Sequence, residues 1–228
     1  TVDVEGNKVF GRGEILVRGA NVSLGYYGMP ETTKEVFQKD DGFFRTGDIG
    51  QFMSSDGSIR LVDRKKNLVK LKGGEYIALE RMEMVYGNST FVDAIAGGIC
   101  CYGDGDMDRP VALLQLNKAV VLQWAKQQTK KANGISGLED DDELDNIVAA
   151  QDSSYYQLLQ QAVMNDLANE HKKGGLSSLE KLRGVVFLTE PWTAENGCLT
   201  AANKLQRKAI IATHHQQFIA VRQKGIFG

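Results

Sequence analysis

Cysteine and proline are both scarce, at three residues each in a chain of 228. The cysteines are Cys100, Cys101 and Cys198, an odd count with two adjacent. That pattern gives neither a disulfide framework nor zinc-ligand spacing, and it points to a reducing compartment rather than secretion. Three prolines against 25 glycines predict turns set by glycine rather than proline-stiffened linkers. No apolar stretch reaches the roughly 18–20 residues needed to span a bilayer. The longest mostly apolar run, Val92 to Tyr102, is interrupted by Asp93 and glycines. No signal-peptide pattern is present. The net charge is −2, so there is no global basic field and no nucleic-acid partner is expected. His171, His214 and His215 lack metal-ligand spacing with the cysteines and are expected at surface or capping positions, so no metal site is expected in the chain.

What is present is the mix of a globular protein, 42% hydrophobic and 25% charged, which excludes a collagen or a disordered tail. The length suits one large domain or two small ones. The chain begins with Thr1, inside what reads as a strand pattern, and is expected to be a piece of a longer protein. The lack of a targeting segment therefore says nothing about the parent's amino terminus.

The first stretch is turn-rich and strand-like. Ile15 to Val17 between glycines reads as a strand, Asn21 to Tyr27 as another short segment, and Pro30 to Phe37 as a helix opened by proline. Asp40-Asp41-Gly42 is a turn, and Asp56-Gly57 signals a hairpin between Ile49–Met53 and Ser58–Val62. Composition changes near Val62–Lys66. Beyond it, Val69 to Lys72 alternates as a short strand ended by Gly73-Gly74. Ile77 to Tyr86 reads as a helix, Ala94 to Cys101 and Val111 to Leu116 as strands, and Ala119 to Lys131 as a helix. Glu139 to Asp145 holds six acids in seven residues and reads as a solvated loop, without the alternation and glycine of a calcium loop. Leu158, Leu159, Ala162, Val163 and Leu167 predict a helix over Tyr155 to His171. Val185 to Leu188 reads as a strand and Lys204 to Val221 as a helix. Trp124 and Trp192 are expected to be core or edge aromatics.

Several places carry chemistry on paper. Asp48, after Thr46-Gly47, reads either as a turn aspartate or as a carboxylate able to accept both hydroxyls of a ribose. Arg64-Lys65-Lys66 reads either as a solvated basic turn or as a phosphate or carboxylate contact through the planar fork of Arg64. Gly73-Gly74 is either a β-turn or a place for close backbone approach to an elongated ligand. Lys204 stands in a segment without acids from Asn196 onward. It is either a surface cation or an ammonium that neutralises charge on a phosphoryl or carboxyl oxygen.

The order of these segments is more informative than any one of them. Gly13-Glu14-Ile15-Leu16-Val17-Arg18-Gly19 with Gly25-Tyr26-Tyr27, and then Arg45-Thr46-Gly47-Asp48-Ile49-Gly50, resemble core motifs of adenylate-forming enzymes. Val62 to Tyr76 resembles the hinge motif as spelled in long-chain fatty acyl-CoA synthetases. Pro191 to Gly197 with Leu199-Thr200-Ala201-Ala202-Asn203-Lys204-Leu205 resembles their carboxyl-terminal signature. Two positions depart from the family spelling: Ala201 stands where a proline is common, and Asn67 where the long-chain branch has Asp.

The resemblance implies an α+β fold. A small carboxyl-terminal lid, residues 64–228, would be a mixed sheet with packed helices, carrying a polar and helical insertion at about 125–170. Ahead of it, residues 1–63 would be the β-rich end of the large AMP-binding domain. The implied activity of the parent is activation of long-chain fatty acids with ATP, through an acyl-adenylate, to the thioester of coenzyme A. The fragment alone is expected to be inactive. Alternatives are another adenylate-former (medium-chain or luciferase-like) or a non-catalytic interaction module with the lid fold. By resemblance, Asp48 and Arg64 would bind nucleotide and Lys66 would be the hinge. Gly73 and Gly74 would line the path of coenzyme A, and Lys204 would be catalytic. Mg2+ would accompany ATP on ligands upstream of this chain. Fatty acid, ATP and coenzyme A would be the small-molecule partners. The parent would be intracellular and membrane-associated, on the cytoplasmic face of an organelle.

Overall fold

The computed structural model of the protein describes residues 8–37, 41–131, 145–146, 148 and 154–224. The chain divides into two compact units, Thr1–Val69 and Lys70–Gly228.

In the first unit, β1 (Val9–Val17), β2 (Phe44–Met53) and β3 (Ile59–Arg64) form an antiparallel sheet in the order β1-β2-β3. The Asp56-Gly57 hairpin is as expected. Met53 N–H donates to Ser58 O at 2.9 Å, and Gly57 takes a φ of 71°, which glycine adopts without a Cβ penalty. Helix α1 (Pro30–Val36) starts at its proline, with Glu31 in the first turn and Lys34 in the last, both favourable to the helix dipole. Asn21 to Tyr27 is a series of turns, not a strand. Val22 N–H bonds back to Gly19 O at 3.1 Å, and Thr33 of α1 holds Tyr26 N–H at 2.9 Å through its hydroxyl. Apolar burial here is sparse. Among the described apolar side chains only Val9, Ile49 and Met53 are buried, while Phe10, Phe52, Ile59 and Leu61 are half exposed or more and Leu24 and Tyr27 fully so.

The second unit is a three-layer α+β arrangement. Its sheet runs β6 (Ile99–Tyr102), β7 (Val111–Gln115), β8 (Val185–Leu188), with β6–β7 antiparallel and β7–β8 parallel. Covered on both faces, the strands read as continuous apolar runs, ICCY, VALLQ and VVFL. The register sorts the two faces. Cys100, Leu113 and Val186 line up on one, and pack with Trp192, Ile210, Phe218 and Val221. Cys101, Ala112 and Val185 line up on the other, which receives α2 (Leu79–Tyr86) and α4 (Ser154–Lys173). There the Tyr156 and Phe187 rings meet at 5.3 Å and Gln160 donates to Val185 O at 3.4 Å. Helix α3 (Lys118–Lys131) follows β7, and α5 (Arg207–Thr213) and α6 (His215–Lys224) close the described chain.

Five expectations need correction. The helix placed at Ile77 begins two positions later, because Tyr76–Ala78 is a short strand, β5, which follows the short strand β4 (Leu68–Lys70). Ala94 to Gly98 is a turn, with Gly97 and Gly98 at φ 115° and 80°, so β6 starts only at Ile99. The buried stripe of α4 is Tyr156, Leu159, Gln160, Val163 and Leu167, and Leu158 faces solvent. The last helix does not begin at Lys204, which lies in a loop, and it breaks at His214 into α5 and α6. His214 is buried rather than at the surface: Trp192 Nε1 donates to its Nε2 at 3.1 Å. Trp192 is core and Trp124 half-buried, edge-on to Tyr155 at 5.8 Å. Of the acidic run, only Asp145 lies among the described residues, 3.9 Å from Lys118.

Candidate functional site

In the first unit the site residues are set by an irregular strand pairing. Between the pairs Leu16–Arg45 and Glu14–Ile49, β1 has one residue and β2 has three, Thr46, Gly47 and Asp48. Such a bulge bends the strand and re-aims the side chains it carries. Gly47 takes a φ of 73° to make it. Local hydrogen bonds hold the shape: Thr46 Oγ1 donates to Ile15 O at 2.8 Å, and Asp48 N–H donates to Thr46 Oγ1 at 3.0 Å. Glu14 accepts from Gly47 N–H at 3.2 Å with one oxygen and pairs with Lys65 at 3.0 Å through the other.

Asp48 is the register partner of Arg64 across β2–β3, and Arg64 Nε lies 3.6 Å from Asp48 Oδ1. The structure therefore brings together the two residues that the resemblance names for nucleotide. Both remain open to solvent, with 40% of the Asp48 side chain and 53% of the Arg64 side chain exposed, so neither is consumed by the other. Lys66 is exposed on the single helical turn Lys65–Asn67 that follows β3. Its neighbours are fixed: Lys65 by Glu14, and Asn67, buried, by a 3.2 Å bond to Asp63.

In the second unit, Gly73 and Gly74 form the tip of a tight turn. Leu71 N–H donates to Glu75 O at 2.8 Å, Gly74 N–H to Leu71 O at 2.9 Å, and Gly74 takes a φ of 92°. Lys72 N–H ties this turn to Met107 O at 3.0 Å. A Cβ on Gly73 would fall on the carboxylate of Glu75.

Lys204 sits in a closed loop of the same unit. Leu199 and Leu205 bridge its base, and Thr200 and Lys204 exchange bonds, Thr200 N–H to Lys204 O at 2.8 Å and Lys204 N–H to Thr200 Oγ1 at 3.1 Å. Asn203 takes the one left-handed non-glycine backbone among the described residues, φ 55°. Leu199 and Leu205 also pack against the core. The backbone is thus fixed while the ammonium is exposed, and among the described residues its side chain makes no hydrogen bond or ion pair.

Two functional candidates escaped the sequence reading. Glu14, one residue of a motif in the sequence, braces the bulge beside Asp48. Arg207 lies in the acid-free tail, and its Nη2 reaches both carboxylate oxygens of Glu83 of α2, at 2.7 and 2.9 Å. Arg207 Nε also donates to Cys101 O at 3.0 Å, and Cys101 N–H donates to Glu83 Oε1 at 2.9 Å. Burial raises the Glu83 carboxyl, against the lowering pull of Arg207. Burial likewise opposes the charge on Arg207, but Glu83 outweighs it and holds the guanidinium protonated. The guanidinium fork is thus shared, with Nη2 on both oxygens of the Glu83 carboxylate and Nε on the Cys101 carbonyl, and the contacts to Glu83 are charge-assisted. The signal available in the sequence was the absence of any acid after Glu195, so a cation of that tail that forms an ion pair must form it with an acid earlier in the chain.

No family model matches the chain. Individual proteins do. Long-chain-fatty-acid–CoA ligase 4 of Saccharomyces cerevisiae is 38% identical over 217 residues, 92% of this chain and 28% of that protein. Long-chain-fatty-acid–CoA ligase 1 of Schizosaccharomyces pombe is 36% identical over 200 residues, 88% of this chain and 27% of that protein. Among solved structures, the A-PCP didomain of carboxylic acid reductase from Segniliparus rugosus, in complex with AMP, superimposes with a TM-score of 0.69 at 28% identity, over 93% of this chain and 25% of that one. The chain spans a little over a quarter of the curated relatives it matches.

The fold is that of the carboxyl-terminal portion of adenylate-forming enzymes. Within that class the sequence relatives are long-chain-fatty-acid–CoA ligases, which the chain matches over about nine-tenths of its own length.

Proposed function

We propose that the protein carrying this chain is an AMP-forming long-chain fatty acid–CoA ligase. Residues 1–63 are the end of its large AMP-binding domain, and residues 64–228 are its hinge and lid. In the first half-reaction a carboxylate oxygen of the fatty acid attacks the α-phosphorus of ATP, and the bond to pyrophosphate breaks. In the second the thiol of coenzyme A attacks the acyl carbon, and AMP leaves. Two anions must meet in the first step. An ammonium between them offsets that repulsion and stabilises the charge-rich transition state by ~3–4 kcal/mol for a well-placed donor.

Lys204 is the proposed source of that ammonium. The observation that carries the reading is its setting: a rigid, core-anchored loop presenting an unpaired cation. Asp48 accepts the ribose hydroxyls, with Arg64 beside it toward ribose or phosphate oxygens. Lys66, between two anchored neighbours, is the hinge. The Gly73-Gly74 turn offers backbone without side chains to the pantetheine arm of coenzyme A. Among the described residues no group of three His, Cys, Asp or Glu is placed to hold a metal. No described helix is long and apolar enough to cross a membrane. Association of the parent with an intracellular membrane is proposed from its substrate alone, since long acyl chains partition out of water.

The test is Lys204→Ala in the full-length ligase, with the half-reactions timed separately. Pyrophosphate release from fatty acid and ATP should fall by two to three orders of magnitude, the size of one lost transition-state donor. Thioester formation from supplied acyl-adenylate and coenzyme A should be largely kept. Unchanged pyrophosphate release overturns the reading.

A further inference from the structure

We infer that Arg207, gripped by Glu83, is a positioning residue for Lys204 and so for adenylation; this rests on the role proposed for Lys204 above. Three segments far apart in sequence meet at this point. Glu83 comes from α2, Cys101 from β6, and Arg207 from the first turn of α5, with the pair 124 positions apart. Four hydrogen bonds join them: two from the guanidinium to the carboxylate, one from Arg207 Nε to Cys101 O, and one from Cys101 N–H to Glu83. Glu83 is the more enclosed partner, with 10% of its side chain exposed against 21% for Arg207.

Arg207 stands three positions after Lys204, and the chain between them has no slack. Leu205 packs on the core and bridges Leu199. Gln206 donates from its backbone to Cys198 O at 2.8 Å and from its side chain to Leu199 O at 3.0 Å. A shift of Arg207 is therefore transmitted to the base of the Lys204 loop. The placement is also electrostatically costly in isolation. A cation in the first turn of a helix opposes the helix dipole, and α5 has no acid of its own there. Glu83 reaches across from another element to supply it. A cation needed only for solubility has cheaper positions further along the helix. The pair instead fixes where α5 begins, and hence where the Lys204 loop ends. Positional error of even about 1 Å at a reacting group lowers rates by orders of magnitude.

The experiment uses the full-length ligase with Arg207→Ala, Arg207→Lys, Glu83→Gln, Lys204→Ala and the double variant Arg207→Ala/Lys204→Ala. Each is assayed for pyrophosphate release from fatty acid and ATP, and for thioester formation from supplied acyl-adenylate and coenzyme A. Arg207→Ala and Glu83→Gln should lower kcat of the first by about ten- to hundredfold, with KM for ATP within about threefold and the second half-reaction within about threefold. Arg207→Lys, which keeps the charge but loses the fork, should fall between Arg207→Ala and wild type. The double variant should be no slower than Lys204→Ala, since Arg207 acts only through that lysine. Equal loss of both half-reactions, or a double variant slower than Lys204→Ala by the full Arg207 factor, overturns the inference. If Arg207→Ala fails to fold, Glu83→Gln, which retains the volume of the side chain, decides by the same criteria. Unchanged pyrophosphate release in Lys204→Ala refutes the underlying role of that lysine instead, which keeps the two failures apart.

Discussion

Asp48 and Arg64 are register partners on adjacent strands, 3.6 Å apart at their closest, and both keep much of their charge exposed to solvent. An exposed ion pair of this kind contributes about 0–1 kcal/mol to stability. Asp48→Ala and Arg64→Ala should therefore leave the unfolding midpoint in urea nearly unchanged. On the proposed function, each should raise KM for ATP of the full-length parent by roughly ten- to hundredfold, the loss of one or two charge-assisted hydrogen bonds at about 1.5–3 kcal/mol. A large drop in stability with unchanged KM would make the pair a strut rather than a ligand site.

Gly47 shapes the bulge that carries Asp48. A Cβ there would meet nothing within 4 Å, so the requirement is purely its left-handed backbone, φ 73°. Gly47→Ala should lose about 1–2 kcal/mol, and Gly47→Asn less, because asparagine tolerates this region better. Gly50, in the same strand, is constrained for the opposite reason. Its φ is ordinary, but a Cβ would come within 2.9 Å of the Ile15 side chain and 3.1 Å of Ile59. Gly50→Asn should thus be no better than Gly50→Ala. Urea unfolding of the four variants separates the two mechanisms.

The Trp192–His214 hydrogen bond makes stability depend on pH. Burial lowers the His214 pKa below its usual value, with Glu190 pulling weakly upward. Trp192 Nε1 donates to Nε2 of the ring, which must therefore be neutral there. The unfolded chain binds this proton more readily than the folded one. The contribution is complete above the unfolded value of about 6.5 and is lost as pH falls through the lower folded value. The melting temperature should decline from pH 7.5 to 5.5 more steeply in wild type than in His214→Gln. Parallel slopes would remove His214 as the titrating group.

The three cysteines are free and buried. Burial raises the Cys100 and Cys101 thiols well above their ordinary range, with Glu83 adding to the rise. Thiolate is the reactive form. Brief treatment of the native protein with iodoacetamide should leave all three unmodified by peptide mass mapping. Labelling should appear only after denaturation.

Local patterns were legible where one short-range cause decides the backbone. Pro30 opened a helix, Asp56-Gly57 made a hairpin, and the continuous apolar runs at Val111 and Val185 became strands covered on both faces. Boundaries failed where two readings compete over a few residues. Ile77 fits either a helix or a strand, and hairpin pairing across the Gly73-Gly74 turn made Tyr76–Ala78 a strand. Lys204 to Val221 has helical spacing throughout. Nothing local announces that Lys204 belongs to a closed loop, or that the chain breaks at a buried histidine.

The order and spelling of the motifs, a property of the sequence by itself, determined the family likeness, the α+β class and the candidate residues. Each motif is a run of adjacent residues whose turn and strand preferences are local. Only the tertiary structure decided which charges meet. The facing of Asp48 and Arg64 depends on a bulge set by Glu14 from another strand. The grip of Glu83 on Arg207 depends on two helices meeting at one sheet edge, more than a hundred residues apart. Such pairings are fixed by the packing of a shared core, and a charge carries no mark in the sequence of the distant partner it will find.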